Sequence, residues 1–333
     1  MVGAMVVGRR AFIAFLGCAL TSRQIVARQV TASRTVGVLM GLENDSEAHA
    51  RAEAFERGLR KEGWSVRENL RIEYRFSGGD FGRMQAFVTE LVALKPDCIL
   101  GHTTPIVKAL KRATETTPIV FVAVTDPIGS NIVASRGRPG GNTTGFAHYQ
   151  TTMAGKYLSI LRELIPQLSC VAIVYHPDQS SAATYFVQPF IDVAREYNIE
   201  PIIMQVRNPT DVENSIAHLA SKPASAFIVV PDNFATVHRE LYISAAARYR
   251  IPAIYPFRYF AEAGGLLSYG VNAVDLFRLA SAYVSRILHG AKPGDLPVQA
   301  PTKFELVINL KTAASLGLTV PKILRAGADA LVE

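Results

Sequence analysis

The sequence predicts an α/β protein built as two Rossmann-like lobes with parallel sheets. Three observations predict it. Short β-branched runs alternate with helix-length amphipathic segments over residues 34–122, the same alternation returns over 170–270, and a glycine-rich connector lies between them.

RTVGVLM (34–40), bounded by Gly41, reads as a buried parallel strand. Asn44 followed by Glu47 opens a helix whose Ala48, Ala52, Phe55 and Leu59 share one face, and Gly63 closes it. Next come the strand LRIEYRF (70–76), a helix from Phe81 to Leu94 with Met84, Phe87, Val88 and Leu91 inward, and the strand DCILG (97–101). A helix from Pro105 to Thr114 and the strand PIVFVAV (118–124) complete this pass. RGRPGGNTTGFAHYQ (136–150) has the composition of a connector.

In the second lobe the strands are CVAIVY (170–175), EPIIMQV (200–206), AFIVV (226–230), PAIY (252–255) and GLLSYG (265–270). Helices are expected at 181–197, 211–220 and 236–249, and no residue-level identity links the two passes. Beyond 269 a long amphipathic helix carries Leu276, Leu279, Tyr283 and Ile287 inward, followed by a Gly/Pro loop, the strand KFELVINL (303–310) and a short helix. If the long helix packs on the first lobe, the chain crosses between lobes near 149, 273 and 301. The expected architecture is therefore a three-crossing hinge joining 34–148 plus 274–300 to 149–273 plus 301–333.

A leader precedes both lobes. Arg9 and Arg10 stand before AFIAFLGCALTS (11–22), an apolar run of signal-sequence length and too short to span a bilayer. Residues 1–27 are expected to be a signal peptide cleaved after Ala27, read by the Sec or the twin-arginine machinery, since RRAFIAF also resembles a twin-arginine signal. Phe15-Leu16-Gly17-Cys18 is a poorer match to a lipoprotein box, with Phe15 where Leu is usual. The expected compartment is the periplasm.

Composition narrows the function classes. With 49% hydrophobic residues the chain can fill two cores, and past the leader its apolar runs have strand length, so it is not expected to span a membrane. The formal charge of +7 falls to +4 once Arg9, Arg10 and Arg23 leave with the leader. That surplus is scattered, and no helix-turn-helix precedes the lobes, so nucleic acid is not an expected partner. Cys98 and Cys170 each begin a strand in different lobes and read as buried free thiols. There is no G-x-S-x-G, no H-E-x-x-H, and no phosphate loop or metal spacing among the histidines. Asp232 and His238 have no nucleophile nearby in sequence. Neither catalysis nor a cofactor or metal is expected.

In open parallel sheets, ligands bind beyond the carboxyl ends of the strands. GHTTP (101–105) is such a loop, with Thr104 expected at the N-cap and Pro105 as the first helical residue. A carboxylate would suit it, or Thr103 and Thr104 only cap their own helix. Asp126 could take an ammonium group or cap the turn at Pro127. From the opposite lobe, YHPDQSS (175–181), PDN (231–233) and SYG (268–270) offer His176, Asp178, Ser181, Asp232, Asn233 and Tyr269. Tyr255 belongs with Phe257, Tyr259 and Phe260 to an aromatic cluster that stacks on a ligand or fills the core. Leu42 and Glu43, after the first strand, complete the candidates.

GVLMGLEND (37–45), FERGLRKEGW (55–64), ALKPDCIL (93–100), TTPIVFVAVTDPIGSNIVASRGRPGGNTTGF (116–146), FRYFAEAGGLLSYGVN (257–272) and APTKFELVINLKTAASLGLTVP (300–321) together resemble the ABC-transporter substrate-binding family related to tryptophan/tyrosine transport proteins. The likeness runs from about residue 9 to the C-terminus, and its specificity lies in the order and spacing of these strings. The resemblance implies a type 1 periplasmic-binding fold, a small-molecule ligand in the interlobe cleft, and delivery to an ABC permease in the inner membrane. The aromatic-amino-acid branch tends to carry a Glu-Asn-Ser-like run where this chain has Asp178 followed by Gln-Ser-Ser, so the expected ligand is an amino-acid-like molecule with a carboxylate. A periplasmic sensor of the same fold, or an enzyme using the cleft, is the alternative.

Overall fold

A computed structural model describes residues 33–148, 152–178 and 182–333. The leader and Ser181 lie outside the described residues. The first sheet has the order β2-β1-β3-β4-β5, all parallel, from β1 (Arg34–Met40), β2 (Leu70–Phe76), β3 (Cys98–His102), β4 (Ile119–Val124) and β5 (Thr143–Ala147). Its helices are α1 (Ser46–Lys61), α2 (Phe81–Ala93) and α3 (Thr104–Ala113). α1 is capped by Asp45, whose Oδ1 accepts the Ala48 N–H at 3.0 Å.

After β5 come α4 (Met153–Leu164), β6 (Cys170–Tyr175), α5 (Ala182–Glu196), β7 (Glu200–Gln205), α6 (Pro209–Ala220) and β8 (Ser225–Val229). The chain continues through α7 (Asn233–Val237), α8 (Arg239–Arg248), β9 (Ala253–Tyr255), α9 (Arg258–Glu262), β10 (Leu267–Gly270) and α10 (Ala273–Leu288). It ends with β11 (Glu305–Asn309), α11 (Leu310–Ser315), α12 (Lys322–Gly327) and β12 (Ala330–Val332). The second sheet has the order β12-β11-β10-β9-β8-β6-β7. All its pairings are parallel except β10 with β11.

Three details depart from the sequence reading. Residues 143–147 are not connector but β5, a fully buried edge strand. Gly145 is what lets it close on β4, since a Cβ there would run into the Phe121 backbone. The sheets are not uniformly parallel, because β11 enters the second sheet from the first-lobe side and so runs antiparallel to β10. Leu279 on α10 is exposed, while Leu276, Ala280, Tyr283, Val284 and Ile287 form the buried face.

α10 packs on the first sheet and lies along α1, where Gly58 allows it to approach the Ser281 side chain. The chain thus passes between the sheets after β5, after β10 and before β11. One apolar cluster is continuous between the lobes, from Val38, Leu100 and Val122 through Phe277, Tyr259 and Phe257 to Phe227 and Val229. The lobes are closed on each other.

The order 2-1-3-4-5 reverses direction between β1 and β3, and the second sheet reverses likewise between β6 and β8. Such switch points leave a crevice beyond the strand ends. Here the two crevices face one another, which positions the site.

Candidate ligand-binding site

The residues following β3 and β8 meet across the cleft. Thr103, Thr104, Thr125, Asp232, Asn233 and Thr236 form the polar wall of a cavity whose other walls are Phe257, Tyr259, Phe277, Arg51, His102 and His148. Its free volume in this closed form is about 40 Å³, and about 520 Å³ when all space between the lining atoms and the part open to solvent are counted. Phe257 and Tyr259 stack at 5.5 Å, and the His102 ring stands 5.5 Å from Phe277.

Arg51 is the central cation. It lies on the buried face of α1 and is 1% exposed. Its nearest carboxylate, Glu47, is 3.8 Å away, and its guanidinium lies 5.6 Å from the centre of the Tyr259 ring. Among the described residues its Nε and Nη2 find no acceptor in hydrogen-bonding geometry. The His102 Nδ1 accepts the Gly41 N–H at 3.2 Å, so the neutral ring carries its proton on Nε2 and has no lone pair to offer the Arg51 Nη1 3.5 Å away. A buried guanidinium in this condition favours an incoming anion.

Burial holds the His102 imidazole well below its ordinary value, helped by the Arg51 charge. It pushes His148 down to about 4, against the pull of the Val124 and Ala123 carbonyls. Both rings are neutral at neutral pH. Asp232 is raised by burial to about 6, opposed by backbone N–H groups. Its Oδ1 accepts the Ala235 N–H at 2.6 Å and its Oδ2 the His176 N–H at 2.8 Å. Asp232 therefore caps α7 and ties two second-lobe loops together.

Two non-glycine residues with positive φ line this cavity, Thr103 (φ 78) and Ala123 (φ 56). Thr103, with ψ 155, sits in a region populated almost only by glycine. It is the N-cap of α3 and Thr104 the first helical residue, one position earlier than the sequence suggested, because β3 ends at His102 and Thr103 already turns the chain. Thr103 makes no side-chain cap, and Thr104 Oγ1 accepts the Thr125 N–H at 3.5 Å.

The structure brings Thr103, Thr104, Asp232 and Asn233 together around this cavity. His176 and Asp178 line an adjoining outer chamber that shares Thr103, Pro105 and Asn233 with it. Asp178 also pairs with Arg207 at the surface. The other candidates stand elsewhere. Leu42 is buried in the first-lobe core, and Glu43 pairs with Arg83 at 2.8 Å. Asp126 accepts the Gly129 N–H at 2.9 Å and so closes its own turn. Tyr255 is a core residue stacked on Phe260, and Tyr269 packs against Tyr157 of α4 and Phe304 on the sheet's other side. Sequence reasoning missed Arg51, His102 and His148. Arg51 was the readable one, since it interrupts the apolar face made by Ala48, Ala52 and Phe55.

Among the described residues no group of three or more His, Cys, Asp or Glu could hold a metal ion, and no helix is long and apolar enough to cross a membrane. Cys98 and Cys170 are buried free cysteines. Facing switch points, a hinge of three crossings and a cavity shared by both lobes define a clamshell ligand-binding protein of the type 1 periplasmic-binding fold. Residues 35–332 match the family described as ABC transporter substrate binding protein, and the chain belongs to that family.

A tyrosine-binding protein of Clostridioides difficile (strain R20291) is 25% identical over 285 residues, 86% of this chain and 81% of that protein. The ABC domain in complex with L-Trp from Streptococcus pneumonia superimposes with a TM-score of 0.83 at 26% identity, covering 90% of this chain and 100% of that one. A conserved domain protein from Vibrio cholerae gives 0.83 at 27% identity, covering 90% and 99%. This chain is accordingly the substrate-binding component of an ABC transporter, an extracytoplasmic protein that binds a small ligand and works with a permease.

Proposed function

We propose that the cleft captures an aromatic amino acid, with the α-carboxylate on Arg51 and the side chain among Phe257, Tyr259 and Phe277. The observation that carries this reading is the buried Arg51 guanidinium, whose Nε and Nη2 lack acceptors, in an aromatic-walled cavity between the lobes. The tyrosine-binding and L-Trp-bound relatives support it. Arg51 belongs to the first lobe and Tyr259 to the second, so a ligand touching both binds the closed state better and shifts the population toward it. The leader would deliver the chain to the periplasm, where the closed form presents its cargo to the permease. The chain acts as a receptor, with no catalytic step of its own.

Thermal shift and calorimetry with L-tyrosine, L-tryptophan and L-phenylalanine, against tyramine and tryptamine, test the reading. A ligand at 100 times its Kd stabilises by about 2.7 kcal/mol. At least one amino acid should do so while the decarboxylated amines do not. Equal binding of the amines, or no response to any of the three acids, overturns it. Mass spectrometry of an osmotic-shock fraction tests export, with a mature chain beginning near Arg28 expected and an intact Met1 refuting it.

A further inference from the structure

We propose that Asn233 is a closure latch, whose carboxamide seats in a slot that exists only because residues 41 and 79 have no side chains. Asn233 opens α7 in the second lobe, and Gly41 and Gly79 follow β1 and β2 in the first. A Cβ at residue 41 would stand 2.6 Å from the Asn233 Oδ1 and 3.3 Å from its Cγ. One at residue 79 would stand 3.1 Å from the Nδ2 and 3.3 Å from Val237 Cγ2. The amide oxygen thus occupies the space that a side chain at residue 41 would fill, and the amide nitrogen crowds the position of one at residue 79.

Both halves of the latch are held in place before they meet. Asp232 fixes the start of α7 through its bonds to Ala235 and His176. On the first lobe the Gly41 N–H donates to His102, the Ser77 N–H to the Met40 carbonyl, and the Gly78 N–H to the Leu42 carbonyl. These bonds lock the β1 and β2 loops into one wall. The seated amide also stands where the inner cavity joins the outer chamber, since Asn233 lines both. Seating therefore sets the gap between the lobes and narrows the passage between the inner cavity and the outer chamber.

The Asn233 Oδ1 is buried and has no partner among the described residues. Seating it opposes closure unless the cargo supplies a donor, and an amino acid's ammonium group is one. This last step rests on the proposed ligand class, whereas the slot does not.

The test is a double-mutant cycle read by tyrosine and tryptophan affinity, dissociation rate and the interlobe distance between spin labels at Lys61 and Glu196. Gly41→Ala is suitable because the Gly41 backbone lies outside the left-handed region, whereas Gly79 has φ +77 and would be strained by any side chain. Gly41→Ala should deplete the short-distance population and weaken binding at least tenfold, mostly through faster dissociation. In an Asn233→Ala background the same substitution should change affinity less than twofold, because the clash is gone. Asn233→Gln, one methylene too long for the slot and leaving the first lobe untouched, should act like Gly41→Ala and covers the case in which that variant fails to fold.

Equal losses from Gly41→Ala in both backgrounds, or an unchanged distance distribution in Gly41→Ala and Asn233→Gln, would overturn the latch. If wild-type protein ignores both amino acids, the proposed ligand fails. The latch is then judged by the ligand-free distance distributions alone.

Discussion

Replacing Arg51 by Met should strengthen the fold and weaken binding, two effects of opposite sign from one side chain. Arg51 is buried, and its Nε and Nη2 make no hydrogen bond to the described residues. Exchanging a whole buried ion pair for apolar residues of similar volume often stabilises by about 1–4 kcal/mol, and with Glu47 protonated Arg51→Met is the equivalent exchange. Against that stands the loss of the cation–π contact to Tyr259, worth about 0.5–2 kcal/mol. Glu47 loses its neighbour too, but burial already raises its carboxyl, so it can take up a proton. The net expectation is a gain of about 1–2 kcal/mol, or about 2–4 °C in the melting temperature of the ligand-free protein. Truncating one partner of a buried charge pair costs about 2–5 kcal/mol, so affinity for an amino acid should fall by about 30- to 5000-fold. Arg51→Lys keeps the charge without the planar fork and should fall between. Scanning fluorimetry and calorimetry on the same samples check both signs. Retained affinity in Arg51→Met refutes the carboxylate anchor, and a large drop in its ligand-free melting temperature shows that Arg51 is a structural residue.

Three further outcomes follow from the same geometry. Thr103→Gly removes strain of about 1–3 kcal/mol at the cost of about 0.5–1 kcal/mol in chain entropy, so urea unfolding should show a more stable protein; a loss of stability would mean that the Thr103 side chain holds the loop. Arg239→Ala breaks the 3.3 Å interlobe pair with Asp45, which is partly exposed and worth about 0.2–1 kcal/mol, so affinity should drop by about 1.5- to 5-fold at low salt and converge with wild type at high salt. A salt-independent loss would instead point to packing on Tyr259. His148 has a folded value depressed to about 4, so the stability it contributes is present above its unfolded value of 6.5 and is lost as pH falls toward 4. His102 acts in the same direction. Asp232, raised to about 6, acts oppositely, adding stability as pH falls from 6 toward 3.8. His148→Gln should therefore lower the slope of stability against pH between 6 and 4.5 by about 1 kcal/mol per unit, and an unchanged slope in denaturant midpoints would show that this ring is not buried neutral.

The two-lobe plan was legible because parallel strands covered on both faces are continuous apolar runs, as in RTVGVLM and CVAIVY. β5 was hidden because TTGFA carries a glycine and two threonines, and only its place beside β4 makes it a strand. α4 went unassigned although Met153, Ala154, Tyr157, Leu158 and Leu161 repeat with helical period, because the glycine-rich run before it draws the whole segment into the connector. At the site, the strand-end rule nominated Thr103, Thr104, Asp232 and Asn233, which do line the cavity, since that rule depends on local chain direction. It also nominated Asp126, and there a local turn bond won. Arg51 and His148 are brought in by α1 and by the residue after β5. Their proximity to PDN and YPFRYF is a property of lobe closure, which no local pattern carries.

Strain and unpaired polarity gather at the same place, and they constrain one another. Thr103 and Ala123 keep unfavourable backbone angles on the first-lobe wall, while Arg51 and the Asn233 Oδ1 keep unsatisfied groups on opposite sides of the cleft. Each of these raises the free energy of the closed protein, and the continuous apolar cluster through Phe257, Tyr259 and Phe277 lowers it. A receptor must open to release what it carries, so the closed state cannot be held by its own packing alone. In the proposed reading, leaving Arg51 Nε and Nη2 and the Asn233 Oδ1 without hydrogen-bond partners makes closure conditional on a molecule that brings both an acceptor and a donor. Filling either position with a protein partner would produce a tighter fold and a poorer carrier.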